Sequence, residues 1–247
     1  MNNRRLFLKN LSAMGAISAV PTLLQASGLR GEENEGVGRT ILFQGDSITD
    51  GNRGRNNDWN HVMGHGYQYI ISSKLWFDYP KKGLHFFNRG ISGNKVTDLA
   101  ARWQSDTLDL KPDVLSILVV INDISAFING DKNFDEAHYQ SGLTSLLQQT
   151  KAALPNVLLV LCEPFVLPVG KIKDKWEDYN AEIKKRQRVV KQLSSDFKAS
   201  FVPFQTAFDK ALQRAPAEYW IWDGVHPMPA GHELMAREWL RVAGHLL

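Results

Sequence analysis

Cysteine is almost absent from this chain of 247 residues, because Cys162 is the only one. One cysteine cannot form an intrachain disulfide, so the fold does not depend on one. Cys162 lies inside an apolar run, and we predict that it fills space in the core. Internal repeats and low-complexity segments are also missing, which excludes solenoid and fibrous classes. With 43% hydrophobic and 22% charged residues, the composition indicates one globular domain.

Outside the N-terminal segment, positive and negative charges are balanced. The formal net charge is +3 at pH 7. Arg4, Arg5 and Lys9 supply three positive charges in residues 1–26, which contain no acidic residue. The remainder is formally neutral, so its charge gives no reason to expect a nucleic acid or an anionic membrane surface as partner.

The chain has no apolar run long enough to span a membrane comfortably. The apolar stretch from Leu11 to Leu24 is short and is interrupted by hydroxyl side chains. It follows a basic start and precedes Ala26-Ser27-Gly28, which is the pattern of a secretory signal. Arg4-Arg5-Leu6-Phe7-Leu8-Lys9 resembles a bacterial twin-arginine signal, with Asn3 where serine is commoner.

These features divide the chain into three segments. We predict a signal peptide over residues 1–26, a linker over residues 27–38 and a single domain over residues 39–247. The protein is expected to be exported to the periplasm or the cell exterior, without stable membrane insertion of the mature domain.

Apolar runs alternate with helical patterns along the domain. Helices are expected from Tyr67, over residues 96–108, after a cap at Asn133 with Glu136, and at the C-terminus from Pro229. A further amphipathic helix is expected to begin near Trp176, with its Lys and Arg residues on a solvated face. The runs are continuously apolar, which indicates a parallel sheet covered on both faces. The predicted fold is a three-layer α/β/α domain with about five parallel strands, which cover residues 39–44, 84–88, 114–120, 157–162 and 200–202.

Polar residues follow the predicted strands, and in a parallel α/β sheet ligands bind outside the carboxyl ends of the strands. Ser47, Gly93, Asn122 and Glu163 each come just after a strand. The turn Gly45-Asp46-Ser47 would expose a serine beside free backbone N–H groups, which suits a nucleophile. The alternative is a polar turn that only caps the next segment.

Ester hydrolysis by serine needs a base, a group that orients the base, and donors for the oxyanion. Asp223-Gly224-Val225-His226 supplies an orienting carboxylate and an imidazole close together in sequence. Donors are available from the N–H groups of Ser47 and Gly93 and from the amide of Asn122. Taken alone, Asp223 and His226 are more typical of a surface turn, and Gly93 and Asn122 are compatible with an ordinary turn and a strand end.

In combination these segments resemble the SGNH hydrolases, also called the GDSL esterases. Gly45-Asp46-Ser47 is similar to the first sequence block of that family, and residues 88–93 are similar to the second. Residues 120–123 are similar to the third block, and residues 223–226 are similar to the fourth. The resemblance implies a flavodoxin-like SGNH fold, catalytic Ser47, Asp223 and His226, and an oxyanion hole of Ser47, Gly93 and Asn122. Val120 stands where the family usually has glycine, and its side chain is expected to crowd the backbone near Asn122.

The implied acyl-serine chemistry needs no cofactor and no metal. His61 and His65 are four residues apart, a spacing that suits zinc on a helix. Gly64 and Gly66 disfavour a helix at this point, and no third ligand is nearby in the sequence. The sequence therefore predicts no metal site.

The fold does not determine the substrate, and three alternatives remain. The polar loop after Ser47 and nearby aromatics favour a carbohydrate esterase that removes acetyl or similar groups. A lysophospholipase or thioesterase would need an apolar groove, and a non-catalytic binding protein would retain only the fold. The candidate substrate contacts are Arg55, Asn57, Trp59, His61, Glu163 and Trp222.

Overall fold

The computed structural model describes residues 38–56 and 58–247. The predicted signal peptide, the predicted linker up to residue 37 and Asn57 lie outside the described residues. None of the helices within the described part is long and apolar enough to cross a membrane.

Five parallel strands form one sheet in this part of the chain, in the order β2-β1-β3-β4-β5. The order is that of flavodoxin-like folds, so the predicted fold class is confirmed. Helices cover both faces of the sheet, so the central strand β3 is buried along its whole length. The strands are β1 Thr40–Gly45, β2 His85–Asn88, β3 Val114–Leu118, β4 Leu158–Cys162 and β5 Ser200–Val202.

The helices pack in two groups, with α2, α7, α8 and α9 in one and α3, α4, α5 and α6 in the other. The two groups make the outer layers of the α/β/α arrangement. The helices are α1 Ser47–Asp50, α2 Tyr67–Asp78, α3 Val96–Trp103, α4 Ile121–Ile128, α5 Glu136–Ala153, α6 Trp176–Asp196, α7 Phe204–Ala211, α8 Ala217–Trp220 and α9 Pro229–Ala243.

Two buried tryptophans show how the core satisfies its polar atoms. Trp239 of α9 packs against Phe43 and donates its Nε1–H to Ser116 Oγ at 3.0 Å. Trp103 of α3 donates to Thr150 Oγ1 at 3.0 Å in the other layer. Each indole buries a large apolar area without leaving a donor unpaired, which is what a tightly packed core requires. Cys162 is buried, as predicted.

The structure corrects two local predictions. Asp135, not Asn133, caps α5, because its carboxylate accepts from His138 N at 2.8 Å. The basic residues of α6 were expected to form a solvated face, but Arg186 is fully buried and pairs with Glu182. The short helices α1, α4 and α8 were not predicted, since four to eight residues carry too little periodic pattern.

His232 joins the outer helices α9 and α2. Its Nδ1 accepts a hydrogen bond from Tyr67 N at 3.1 Å, at the start of α2. Burial, with smaller contributions from the charges of His65 and His226, lowers the pKa of His232 to about 4. The native state therefore holds this imidazole neutral at pH values where the unfolded chain protonates it.

We predict that this histidine makes folding weaken in acid. Its contribution is complete above pH 6.5 and is lost as the pH falls from 6.5 towards 4, because only the unfolded state gains the proton in that range. Urea unfolding at pH 7 and pH 4.5 should show a stability loss about 2 kcal/mol larger in the wild type than in His232→Asn. Asparagine retains an acceptor for Tyr67 N but does not titrate. Equal losses in both proteins would contradict the assignment.

Candidate active site

Ser47 lies at the first position of α1, directly after β1 ends at Gly45. Asp46 caps this one-turn helix, since its carboxylate accepts from Ile48 N at 3.1 Å. Burial raises the pKa of Asp46 to about 6, against the lowering effect of that hydrogen bond and of the His226 charge. The cap fixes the turn that presents the Ser47 hydroxyl at the carboxyl edge of the sheet.

A chain of hydrogen bonds runs from Ser47 through His226 to Asp223. Ser47 Oγ lies 2.8 Å from His226 Nε2, and His226 Nδ1 lies 2.8 Å from Asp223 Oδ2. Asp223 is buried, whereas Ser47 and His226 are partly exposed. This geometry places a hydroxyl, an imidazole and a carboxylate in the arrangement that activates a serine nucleophile.

The Asp223 carboxylate has four hydrogen-bond donors. Oδ1 accepts from Val225 N at 3.0 Å and from His226 N at 2.7 Å. Oδ2 accepts from His226 Nδ1 and also contacts Lys171 Nζ at 2.8 Å. Burial alone would raise the pKa of Asp223, but these four contacts outweigh it and hold the pKa well below its usual range.

The loop that carries Asp223 and His226 is closed on itself. Ile221 and Pro227 form an isolated antiparallel bridge, and Trp222 N donates to His226 O at 3.2 Å. Gly224 has a φ of +92° and packs against Val169 O, where a Cβ would lie 2.6 Å from that oxygen. Glycine is required there because any other residue would strain the backbone at this positive φ and would place its Cβ against Val169 O.

Gly93 and Asn122 lie in the loops that follow β2 and β3. Gly93 has a φ of +85°, and within the described part of the chain no atom lies within 4 Å of its ideal Cβ position, so the space on that side of its Cα is open. Asn122 is the second residue of α4 and donates through Nδ2 to Asn94 O at 3.0 Å. One of the two amide hydrogens of Asn122 is used by this bond, and the other is available to a ligand.

Val120, the residue that departs from the family pattern, is buried and directly precedes α4. Asp123, three residues after Val120, has both carboxylate oxygens 3.3 Å from Val96 N. Burial raises the pKa of Asp123 to about 7 against that hydrogen bond. Asp123 thereby joins the start of α3 to α4 beside the loop of Gly93.

The described candidate substrate contacts lie in four places. Trp222 is exposed beside the triad, with its ring centroid 6.4 Å from that of His226 and an interplanar angle of 27°. Arg55 and Trp59 line a cavity next to β2. His61 is exposed and bonds Asp58 at 2.6 Å. Glu163 accepts from Gln205 N at 3.0 Å, at the start of α7.

Sequence reasoning missed Lys171, which lies in a short 3₁₀ segment, Gly170–Lys175, far from any recognised block. Its contact with Asp223 depends on how that segment packs against the triad loop. Within residues 38–56 and 58–247, no group of three or more His, Cys, Asp or Glu side chains is placed to hold a metal ion.

The fold and this geometry define a class of protein: a parallel α/β domain with a serine, a histidine and an aspartate linked at the carboxyl edge of its sheet. Residues 43–234 match the family described as GDSL-like Lipase/Acylhydrolase. The chain is 35% identical over 222 residues to an acetylxylan esterase of Geobacillus stearothermophilus, which covers 85% of this chain and 95% of the relative.

Solved structures give the same result. A crystal structure described as a GDSL-like lipase of Parabacteroides merdae has a TM-score of 0.80 and 40% identity, over 83% of this chain and 95% of that one. The structure of the Geobacillus stearothermophilus acetylxylan esterase has a TM-score of 0.74 and 35% identity, over 84% of this chain and 94% of that one. The chain belongs to the GDSL-like lipase/acylhydrolase family, and it is a carboxylic ester hydrolase.

Asp223 and its ion-pair partner Lys171 should differ sharply in their importance for catalysis. Asp223→Asn should lower kcat on p-nitrophenyl acetate roughly 10³–10⁴-fold, because the amide no longer holds the imidazole in the required tautomer. Lys171→Met should change it less than about fivefold, because the lysine side chain is more than half exposed and its ion pair is screened. A loss with Lys171→Met as large as with Asp223→Asn would contradict this ranking.

Proposed function

We propose that this enzyme removes acetyl groups from an acetylated carbohydrate through an acyl-serine intermediate. The observation that carries the proposal is the hydrogen-bonded chain Ser47–His226–Asp223 in a fold shared with an acetylxylan esterase. In this proposal Ser47 is the nucleophile, His226 is the base, and Asp223 orients the imidazole.

The reaction proceeds in two displacement steps. Ser47 Oγ attacks the ester carbonyl carbon while His226 Nε2 takes the hydroxyl proton. The C–O bond to the alcohol then breaks, and His226 returns the proton to the departing alcohol oxygen. Water attacks the acyl-serine with His226 again as base, and collapse releases the acid and restores the Ser47 hydroxyl.

The proposed oxyanion donors are the backbone N–H groups of Ser47 and Gly93 and the side-chain amide of Asn122. Ser47 N lies at the start of α1, and the space at the Cβ position of Gly93 is open. Asn122 retains one amide hydrogen beyond its bond to Asn94 O. Donors fixed before the reaction stabilise the developing negative charge without reorganisation.

Variants of the Geobacillus stearothermophilus esterase support these roles. Three structures are described as catalytic mutants, in which a serine, an aspartate and a histidine are each replaced by alanine. In that chain the histidine follows the serine by 179 positions, as His226 follows Ser47 here. The aspartate precedes the histidine by three positions in both chains.

Aromatic and polar side chains near the site favour a carbohydrate. Trp222 and Trp59 are 61% and 67% exposed, so both can pack a flat face against a sugar ring. Arg55 and His61 offer hydrogen-bond donors on the loop that follows α1. Glu163 is a weaker candidate, because one of its oxygens already binds Gln205 N.

The test compares acyl-chain lengths. The domain of residues 27–247 should hydrolyse p-nitrophenyl acetate and acetylated xylooligosaccharides but not p-nitrophenyl palmitate. Ser47→Ala should abolish turnover without unfolding the protein, because only a hydroxyl is removed. Ser105→Ala, at an exposed serine, is the matched control. Faster turnover of palmitate than of acetate would favour the lysophospholipase or thioesterase alternative, and near-full activity of Ser47→Ala would overturn the mechanism.

We also propose that residues 1–26 are a twin-arginine export signal, cleaved after Ala26. Its support is the Arg4-Arg5 pair, the short apolar stretch and the small residues that follow. N-terminal sequencing of protein exported from a bacterium with this pathway should begin at Ser27. A variant with both arginines replaced by lysine should stay inside the cell and uncleaved, and unchanged export of that variant would contradict the route.

A further inference from the structure

A cavity of about 550 Å³ lies between the loop that follows α1 and the edge strand β2. Its volume falls within the range of about 300–1,000 Å³ that is typical of small-molecule sites. Three guanidinium groups line it, from Arg53, Arg55 and Arg89. Trp59 and the β2 residues Phe86 and Phe87 add apolar surface.

Two arginines of this cavity, Arg53 and Arg89, have few hydrogen-bond partners in the protein. Arg53 is only 7% exposed, and its Nε donates to Gly90 O at 2.9 Å. Arg89 Nε is buried and has no hydrogen-bond partner among the residues that the structure describes. A buried donor without a partner costs free energy, so a ligand that accepts hydrogen bonds would stabilise this arrangement.

The charge of the cavity is also unbalanced. Asp50 is the carboxylate that pairs with Arg55, at 2.7 Å, and Arg53 and Arg89 form no ion pair within the described residues. Burial, followed by repulsion from Arg55 and Arg89, lowers the pKa of Arg53 to about 10. Clustered guanidinium groups of this kind repel each other until an anion lies between them.

We propose that this cavity binds the carboxylate of an acidic sugar unit, so that the enzyme prefers esters carried by acidic carbohydrate chains. The planar guanidinium matches a carboxylate through two parallel hydrogen bonds. The exposed Trp59 at the same cavity provides an aromatic face for the sugar ring. This inference rests on the proposed carbohydrate esterase function and adds an acidic group to its substrate.

The cavity is connected to the candidate active site through Asp50. Asp50 ends the one-turn helix α1 that begins at Ser47. Its Oδ2 accepts from Arg55 and from both the backbone N and the Oγ of Ser92, each of the latter at 2.9 Å. Ser92 directly precedes Gly93, so the arginine cavity and the proposed oxyanion loop share one buried carboxylate.

The test compares two acetylated xylooligosaccharides that differ only in one uronic acid branch. We expect kcat/KM of the wild type to be roughly tenfold higher for the acidic substrate, since a charge-assisted hydrogen bond commonly contributes this much. Added salt should reduce that ratio. Arg89→Gln should bring the ratio close to one, and Arg55→Gln, at a half-exposed side chain, serves as a second variant.

The ratio of kcat/KM for the acidic substrate to kcat/KM for the neutral substrate is unaffected by a general loss of activity or stability in a variant. Arg188→Gln, at an exposed arginine of α6, is the matched control and should leave the ratio unchanged. Calorimetric titration of the Ser47→Ala protein with sodium glucuronate, and separately with inorganic phosphate, measures binding without turnover. Saturable binding of glucuronate that Arg89→Gln removes would support the site even if the ester substrates are not hydrolysed.

Three results would overturn the inference. Equal kcat/KM for the two oligosaccharides would remove the acidic preference while leaving the esterase proposal intact. Absence of glucuronate binding would also contradict a carboxylate site in the cavity, whether or not either ester is cleaved. Phosphate binding that is tighter than glucuronate binding would assign the cavity to phosphate groups instead. Failure to hydrolyse both esters, with glucuronate still bound, would instead contradict the proposed function.

Discussion

The hydrogen bond of 2.8 Å between Ser47 Oγ and His226 Nε2 joins segments that lie 179 residues apart in the chain. Such a contact can form only if the fold fixes both ends to within a fraction of an ångström. Ser47 follows β1 in a capped turn, and His226 lies in a loop closed by the Ile221–Pro227 bridge. The sheet brings the strand ends to one edge, and the packing of α9 on β5 and α2 holds the final loop over that edge.

Asp223 shows how burial and hydrogen bonding compete at the site. A buried carboxylate tends to become protonated, which would release the histidine. Backbone donors at Val225 and His226, together with the imidazole and Lys171, stabilise the charge instead. Asp46 and Asp123 are buried with fewer donors, and burial therefore raises the pKa of each. The pKa values of the three buried aspartates therefore shift in different directions, because the carboxylates have different numbers of hydrogen-bond donors.

The sequence was sufficient to predict the parallel sheet, because continuous apolar runs and strand-end polar residues are local patterns. It also predicted which side chains meet, since Ser47, Asp223 and His226 lie in blocks with a recognisable order. It did not reveal Lys171 or the cavity of Arg53, Arg55 and Arg89, because these arise from packing between distant segments. The prediction that Asn133 caps α5 was wrong because Asp135, two residues later, offers a carboxylate acceptor nearer the first turn of that helix. Short helices such as α1 carry too few residues for any periodic pattern.

Trapping the covalent intermediate shows most directly whether acyl groups pass through Ser47. The enzyme would be mixed with p-nitrophenyl acetate, quenched in acid within the first turnovers, digested and examined by mass spectrometry. We predict one added acetyl group, located on Ser47 in the peptide that contains Gly45 and Asp46. An acetyl group on another residue, or none during active turnover, would contradict an acyl-serine mechanism at this site.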